Sequence, residues 1–281
     1  KKDKFEDFLN FIIDVMKQPK FAQSEFDLAK NQSLSALDRP YTEPAIVASM
    51  TLARLLETYQ PGDLRYHFEP EFAKKQLNEA TQAQVKQFYD QFFVTNHAQI
   101  AVTGDFDPKK MQSTLQKAFG QWKTKQPYQK ITSPYVQFKA EKVHALSEQR
   151  EFGSYQSILT IPVGAYHQDA PALILLSHIM GNSQLSSRLA QELREKNALV
   201  YGFWSDLDLD SDTESGSISI TANYTAGRSD QVSQSVHKVL TDLLSKGVTE
   251  QEVEAAKADI MKKRVTSLED ERNIHKMLTG Q

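Results

Sequence analysis

Two ten-residue stretches of this chain resemble each other, and the resemblance constrains the fold more than any other feature. Residues 21–30 (FAQSEFDLAK) align with 248–257 (VTEQEVEAAK), Glu25 falling on Glu252 and Lys30 on Lys257, a constant offset of 227. Each stretch follows an amphipathic helix that ends in a short connection, at Gln18–Lys20 and Ser245–Gly247. Any two amphipathic helices share some spacing, so the match alone leaves coincidence open. A genuine duplication makes residue 1 equivalent to 228 and residue 54 to 281. The expected division is then 1–128, the second half of one repeat, and 129–281, the following repeat, C-terminally incomplete. A repeat unit buries its apolar face against its own remainder. This phase, with the charged opening Lys1-Lys2-Asp3-Lys4, points to a fragment of something longer. A length of 281 residues fits about two domains.

The periodicities alternate between helix and strand. Phe5, Phe8, Leu9, Ile12 and Met16 lie on one helical face, and Pro19 closes that helix. A second helix is expected over 22–37. Pro40 and Pro44 punctuate, and Ile46, Met50, Ala53 and Leu56 stripe a third. The polar stretch 58–78, with Pro61-Gly62, reads as loop and short turns. Thr81 with Gln84 forms a capping box ahead of Val85, Phe88, Tyr89, Phe92 and Phe93. Ala98, Ile100 and Val102 alternate, predicting a strand over 98–103. Asp107 before Pro108 is an N-cap with proline at the first helical position, opening a helix to about Phe119. Residues 124–135, with Pro127 and Pro134, read as a linker. Beyond it come a strand at Ser157–Val163, helices at 169–181 and 185–196, and a strand at Leu199–Leu207. An acidic hairpin tip follows at Asp206–Glu214, with a returning strand through Ile218, Ile220, Ala222 and Tyr224. Val232, Val236, Val239, Leu240 and Leu243 mark a long helix, and Thr249 with Glu252 caps the last one.

Several function classes fall away. The net charge of −3 argues against a nucleic-acid binder held by bulk electrostatics. With Cys 0 there is no disulfide, thiolate metal site or cysteine nucleophile. No apolar run approaches the ~18 residues of a membrane span. Lys1–Lys4 is not followed by the hydrophobic region of a signal peptide. Phosphate loops (G-x-G-x-x-G, G-x-x-x-x-G-K-[ST]) and the G-x-S-x-G elbow are absent from the sequence.

The seven histidines are His67, His97, His144, His167, His178, His237 and His275. None stands in H-E-x-x-H or H-x-x-E-H, the spacings that set two imidazoles beside a carboxylate base. His178 and His237 fall within amphipathic helices, as packing or rim residues. Asp206, Asp208, Asp210 and Asp212 alternate but lack the glycine and distal glutamate of an EF-hand loop, so they read as a solvated tip.

The most informative stretch is 186–201, SSRLAQELREKNALVY. Leu185, Leu189 and Leu193 form a helical stripe. Arg194 stands in the last turn, where a cation suits the helix dipole, and Tyr201 begins the next strand. An ordinary helix-to-strand connection accounts for these features equally well. Simple alternation would bury Tyr201 with Leu199 and Phe203.

This stretch resembles the C-terminal half of the pitrilysin–insulinase zinc metallopeptidase family, whose pattern is S-S-R-L-x-x-x-[IL]-R-E-K-x-x-L-x-Y. Gly62-Asp63-Leu64-Arg65-Tyr66, Val85–Phe93, Val102-Thr103-Gly104-Asp105-Phe106-Asp107 and Phe119-Gly120-Gln121-Trp122-Lys123 resemble it too, so the likeness covers nearly the whole chain. It is most like the large bacterial members built from four homologous domains, and places the chain over the second half of domain three and most of domain four. Such members also contain a repeat of about the length measured above.

The resemblance implies an α+β fold of repeated units, each with helices packed on one face of a mainly antiparallel sheet. It implies Arg194 as a substrate-binding residue and Tyr201 as the catalytic donor to a developing oxyanion. No metal ligand carries over, because the family's H-x-x-E-H belongs to its first domain; zinc is a cofactor of the full-length protein only. The expected role is the non-zinc-binding part of a zinc-dependent endopeptidase, closing a chamber over a peptide substrate and inactive by itself. The alternative is a catalytically inactive member acting as a structural or protein-interaction module. Expected partners are a peptide substrate and the N-terminal catalytic half of the same protein, with no nucleic acid and no membrane span. The resemblance also implies a periplasmic or cell-envelope location, with the cytoplasm as the alternative.

Overall fold

The structure is a computed structural model, and it describes residues 4–38, 42–67, 69–96, 98–124, 128–183 and 185–279. Pro40, His97 and Pro127 therefore lie outside the described residues. The chain forms two compact units, one of Lys1–Ser35, Ala73–Lys130 and Lys262–Gln281, the other of Ala36–Phe72 and Ile131–Met261.

The first unit contains α1 (Phe5–Lys17), α2 (Gln23–Leu37), most of α4 (Pro70–Glu79), α5 (Gln82–Phe92), α6 (Pro108–Phe119) and α11 (Glu271–Thr279). The Thr81–Gln84 capping box is present on α5, and Asp107 caps α6 by accepting from the Lys109 and Lys110 amides. Lys30 on α2 donates to the Asn78 and Ala80 carbonyls at the end of α4, at 2.8 and 3.1 Å, where a cation suits the helix dipole. An aromatic chain joins the elements. Phe21 meets Tyr89 edge-on at 5.3 Å, Tyr89 stacks on Phe93 at 4.5 Å, and Phe93 meets Trp122 at 5.7 Å. The Tyr89 hydroxyl donates to the Met16 carbonyl. Among the described residues of this unit, Ile13 and Met111 are the buried apolar ones.

Residues 98–103 are not a strand. A strand needs a paired neighbour, and no described residue forms a ladder with them. The Ala101 carbonyl is instead bonded to the His275 ring at 2.8 Å. The expected loop at 58–78 ends early, because α4 begins at Pro70. Its only large apolar residues are Phe72 and Leu77, too sparse to print a stripe.

The second unit holds α3 (Pro44–Leu55) and a three-stranded antiparallel sheet. β1 is Phe152–Ile161, β2 Val200–Leu209 and β3 Gly216–Thr225, in the order β1-β3-β2. Phe152 pairs with Thr225 and Ile161 with Gly216 across β1 and β3. One sheet face carries Tyr155, Ile218, Ile220, Ala222, Tyr224, Val200 and Phe203. Against it pack Met180, Leu189, Leu193, Val232, Val236 and Val239, forming the main core. The helices concerned are α7 (Ala170–Ser177), α8 (Arg188–Ala190) and α9 (Ser229–Lys246). Helices on one face of an antiparallel sheet are the expected α+β arrangement. Leu189 and Leu193 are 0% exposed, and burying each contributes about 1.5–3 kcal/mol.

Both short helices widen as they end. α7 continues as a π-helical turn over His178–Asn182, and α8 over Gln191–Lys196. At Gly181 a Cβ would lie 2.5 Å from the Ser205 Cβ and 2.7 Å from the Leu189 Cδ1, so this close approach requires glycine. The Nε2–H of buried His178 donates to the Asp259 carboxylate at 2.9 Å, tying the turn to α10 (Glu250–Ser267).

Candidate functional site

Local chemistry fixes the path from α8 to β2. The Ser187 hydroxyl caps α8 by accepting from the Ala190 amide at 3.3 Å. Arg188 bonds Glu252 through Nε (2.7 Å) and Nη2 (2.8 Å), and Nη2 also donates to the Gly247 carbonyl at 2.8 Å. Arg188, the first of the two arginines in the 186–201 stretch, thus clamps the α9–α10 turn. Glu252 also completes a capping box with Thr249. Glu192 is 8% exposed yet charged, held by Lys238 at 2.7 Å and by Asn197. The hydrogen bond from Lys238 keeps its carboxyl below the usual range. After Lys196 the chain turns through Ala198 at φ 47, left-handed for an L-residue, and Arg228 donates to the Ala198 carbonyl at 2.6 Å.

Arg194 stands in the π-helical turn, half-buried, with its guanidinium 5.9 Å from the centre of the Phe203 ring. That distance is within cation–π range.

Tyr201 occupies a β-bulge. Val200 pairs with Tyr224 and Gly202 with Asn223, so Tyr201 is the extra residue. The bulge resets the alternation. Val200, Phe203 and Ser205 are buried, whereas Tyr201 is 56% exposed and Trp204 48% exposed. The alternation that would bury Tyr201 with Leu199 and Phe203 is therefore broken. Its ring meets Phe152 edge-on at 5.8 Å. Its hydroxyl donates to the Tyr224 carbonyl at 3.5 Å, the outer limit of a hydrogen bond. Partial burial pushes the phenol pKa up from an ordinary value that already lies well above neutral, so the hydroxyl is protonated and can donate. No described hydrogen bond or ring contact joins Arg194 to Tyr201.

The other candidates read as scaffold. The His67 backbone amide donates to the Glu57 carboxylate at 2.6 Å. Asp210 accepts from the Asp212 and Thr213 amides and so closes the β2–β3 tip. In the Gly62–Tyr66 motif, Asp63 chelates Arg65, holding the Asp63 carboxyl at a pKa of about 2. Arg65 stacks on Tyr59 at 4.1 Å and donates to the Thr132 carbonyl at 2.9 Å. Among the described residues no three His, Asp or Glu side chains stand together as a metal site.

The sequence matches the family model described as "Peptidase M16 inactive domain" over residues 79–260. The chain belongs to the M16 peptidase family. The match and the pitrilysin–insulinase resemblance name the same relationship. A Bacillus subtilis protein named uncharacterized zinc protease YmxG is 26% identical over 185 residues, 66% of this chain and 43% of that protein. An uncharacterized zinc protease of Mycobacterium leprae is 38% identical over 99 residues, 35% of this chain and 22% of that protein. The chain thus spans less than half the length of these relatives. Among solved structures, a peptidase M16 inactive domain from Pseudomonas fluorescens aligns with a TM-score of 0.80 at 23% identity, covering 99% of this chain and 64% of that one. The periplasmic protease PqqL from Escherichia coli aligns at 0.68 and 16% identity, covering 92% and 28%. At these identities the structural likeness concerns the fold. M16 relatives named zinc proteases are consistent with zinc in the full-length proteins. No helix among the described residues is long and apolar enough to cross a membrane.

Proposed function

We propose that this M16 chain is the C-terminal, non-zinc-binding part of a zinc-dependent endopeptidase. It closes the peptide chamber, and its own residues bind substrate and stabilise the oxyanion. The observation that carries the reading is the bulge at Tyr201, which turns a phenol out of the core beside the signature helix. A protonated phenol whose hydroxyl makes a long 3.5 Å hydrogen bond is ready to donate to the oxygen of a tetrahedral intermediate. Arg194 supplies a planar donor fork for peptide carbonyls or a carboxylate. Zinc, held by residues outside this chain, would supply the Lewis acid and activated water.

The repeat supports the same frame of 1–128 followed by 129–281. α2 begins at Gln23 and α10 at Glu250; α3 begins at Pro44 and α11 at Glu271. Both pairs keep the 227-residue offset. The N-terminal catalytic half is the proposed partner, and the periplasm or cell envelope the proposed location, in line with the periplasmic relative. The experiment is Tyr201→Phe in the full-length protein. Loss of one oxyanion donor should lower kcat on a quenched peptide by about 10²-fold. Cleavage at the wild-type rate would return Tyr201 to the scaffold.

A further inference from the structure

The 227-residue offset makes α1 the counterpart of α9, and α2 that of α10. Two stripes of α9 have separate uses. Val232, Val236 and Val239 enter the core against the sheet. Ser235, Lys238 and Asp242 form the adjoining stripe, at i, i+3 and i+7, and from it Lys238 donates to Glu192 on the π-helical turn after α8 at 2.7 Å. α1 keeps the first stripe and changes the second. Phe5, Leu9 and Ile12 stand where α9 has its three valines, but Phe8, Phe11 and Val15 stand where it has Ser235, Lys238 and Asp242. They are 61%, 61% and 50% exposed. α2 carries a second difference. Glu252 on α10 holds Arg188 through two hydrogen bonds, whereas its counterpart Glu25 is exposed and meets no cation among the described residues.

We propose that Phe8, Phe11, Val15 and Glu25 form the seat of a helix that the full-length protein supplies ahead of Lys1, the counterpart of residues 188–196. The proposal rests on reading this chain as part of a longer M16 protein, and it names the surface that joins the chain to the part ahead. Such a part has room, since the chain matches 43% of the Bacillus subtilis relative. The same offset places the helix about 32–40 residues ahead of Lys1. Charge and polarity fix its chemistry. It begins with an arginine for Glu25, as Arg188 serves Glu252. Four residues on, where the second repeat has Glu192, it carries an apolar side chain, because a carboxylate facing Phe11 in place of a lysine would be desolvated without a cation. Burying the two phenyl rings contributes more than a partly exposed ion pair. The exchange also separates the repeats: a helix with glutamate at this place suits α9 and is refused by α1.

The residues ahead of Lys1 give the first check. An arginine followed four positions later by an apolar residue is expected there, and a glutamate at the second position overturns the proposal. Side-chain exposure in the full-length protein gives the second. Hydroxyl-radical labelling, read by mass spectrometry, should find Phe8 and Phe11 as slow as Phe203, which is 2% exposed in the main core. Glu25→Arg should raise the labelling of both rings at least about twofold, through like-charge repulsion at the seat. Changing the facing arginine to glutamate in the same protein should restore the parent rate. Labelling of Phe8 and Phe11 well above that of Phe203 in the parent, a Glu25→Arg variant that labels like the parent, or an effect that the reversal does not undo overturns the proposal. No turnover is measured, so each of these failures leaves the oxyanion role of Tyr201 standing, and wild-type cleavage by Tyr201→Phe leaves the seat standing.

Discussion

Arg188 on α8 and Glu252 at the start of α10 share two parallel hydrogen bonds, Nε to Oε1 at 2.7 Å and Nη2 to Oε2 at 2.8 Å. Their side chains are only 20% and 29% exposed, so the pair is shielded from much of the solvent screening that weakens surface ion pairs. Sixty-four residues separate the partners in sequence, and the bidentate geometry fixes the α9–α10 turn against the signature helix.

The pair makes stability depend on pH. The Arg188 hydrogen bond, with further bonds from Thr249, lowers the Glu252 pKa from 4.5 to about 2. A lowered folded-state pKa contributes stability above the unfolded value and loses it as pH falls through the folded one. The contribution is therefore complete above about pH 4.5 and lost towards pH 2. Its size is about 2–3 kcal/mol at pH 7. Urea unfolding should show Glu252→Gln less stable than the parent by about that amount at pH 7, with the gap closing towards pH 2. A gap independent of pH would show that the carboxylate charge plays no part.

Gly181 offers a second check, on the π-helical turn. An alanine Cβ would sit 2.5 Å from the Ser205 Cβ, inside the wall formed by β2. Gly181→Ala should cost about 1–3 kcal/mol by overpacking. Ser205→Gly removes the opposing atom, so the double variant should recover part of that loss in thermal unfolding. Additive losses would place the strain elsewhere.

Much of this architecture is legible from local pattern. The capping box at Thr81, the Asp107-Pro108 start of α6 and the valine stripe of α9 each state their structure within one or two turns. What was not legible depends on partners distant in sequence. The alternation at 98–103 describes a strand, yet pairing decides whether one forms. β1 begins at Phe152 rather than Ser157, because β3 supplies pairs for Phe152–Gln156, where apolar content is low. Gly153 is needed there because a Cβ would lie 2.3 Å from the Tyr224 ring. The bulge has no local signature. Tyr201 and Gly202 read as ordinary strand residues until the register against Tyr224 and Asn223 is known.

The connection near 124–135 should be an early proteolytic site. Its described residues 128–135 carry no helix or strand, and Tyr128 and Ile131 are 58% and 56% exposed. Irregular exposed backbone enters a protease cleft most readily. Brief trypsin or chymotrypsin treatment, read by mass spectrometry, should find the first cut at Lys123, Lys125, Tyr128 or Lys130. First cuts confined to 200–224, inside the paired strands, would contradict this.

The bulge itself can be tested by stability alone. Phe203 is 2% exposed in the main core, whereas Tyr201, two residues earlier, is 56% exposed with one ring contact and one long hydrogen bond. Regular alternation would give the two residues the same environment. The bulge gives them opposite ones. Phe203→Ala should therefore cost about 3–5 kcal/mol, as expected for a buried aromatic ring. Tyr201→Phe should change stability by less than about 0.5 kcal/mol, and Tyr201→Ala by about 1 kcal/mol through loss of the Phe152 contact. Denaturant titrations of the three variants decide the point. If Tyr201→Ala proves as damaging as Phe203→Ala, Tyr201 belongs to the core, and it cannot serve as a donor at the open face of the sheet.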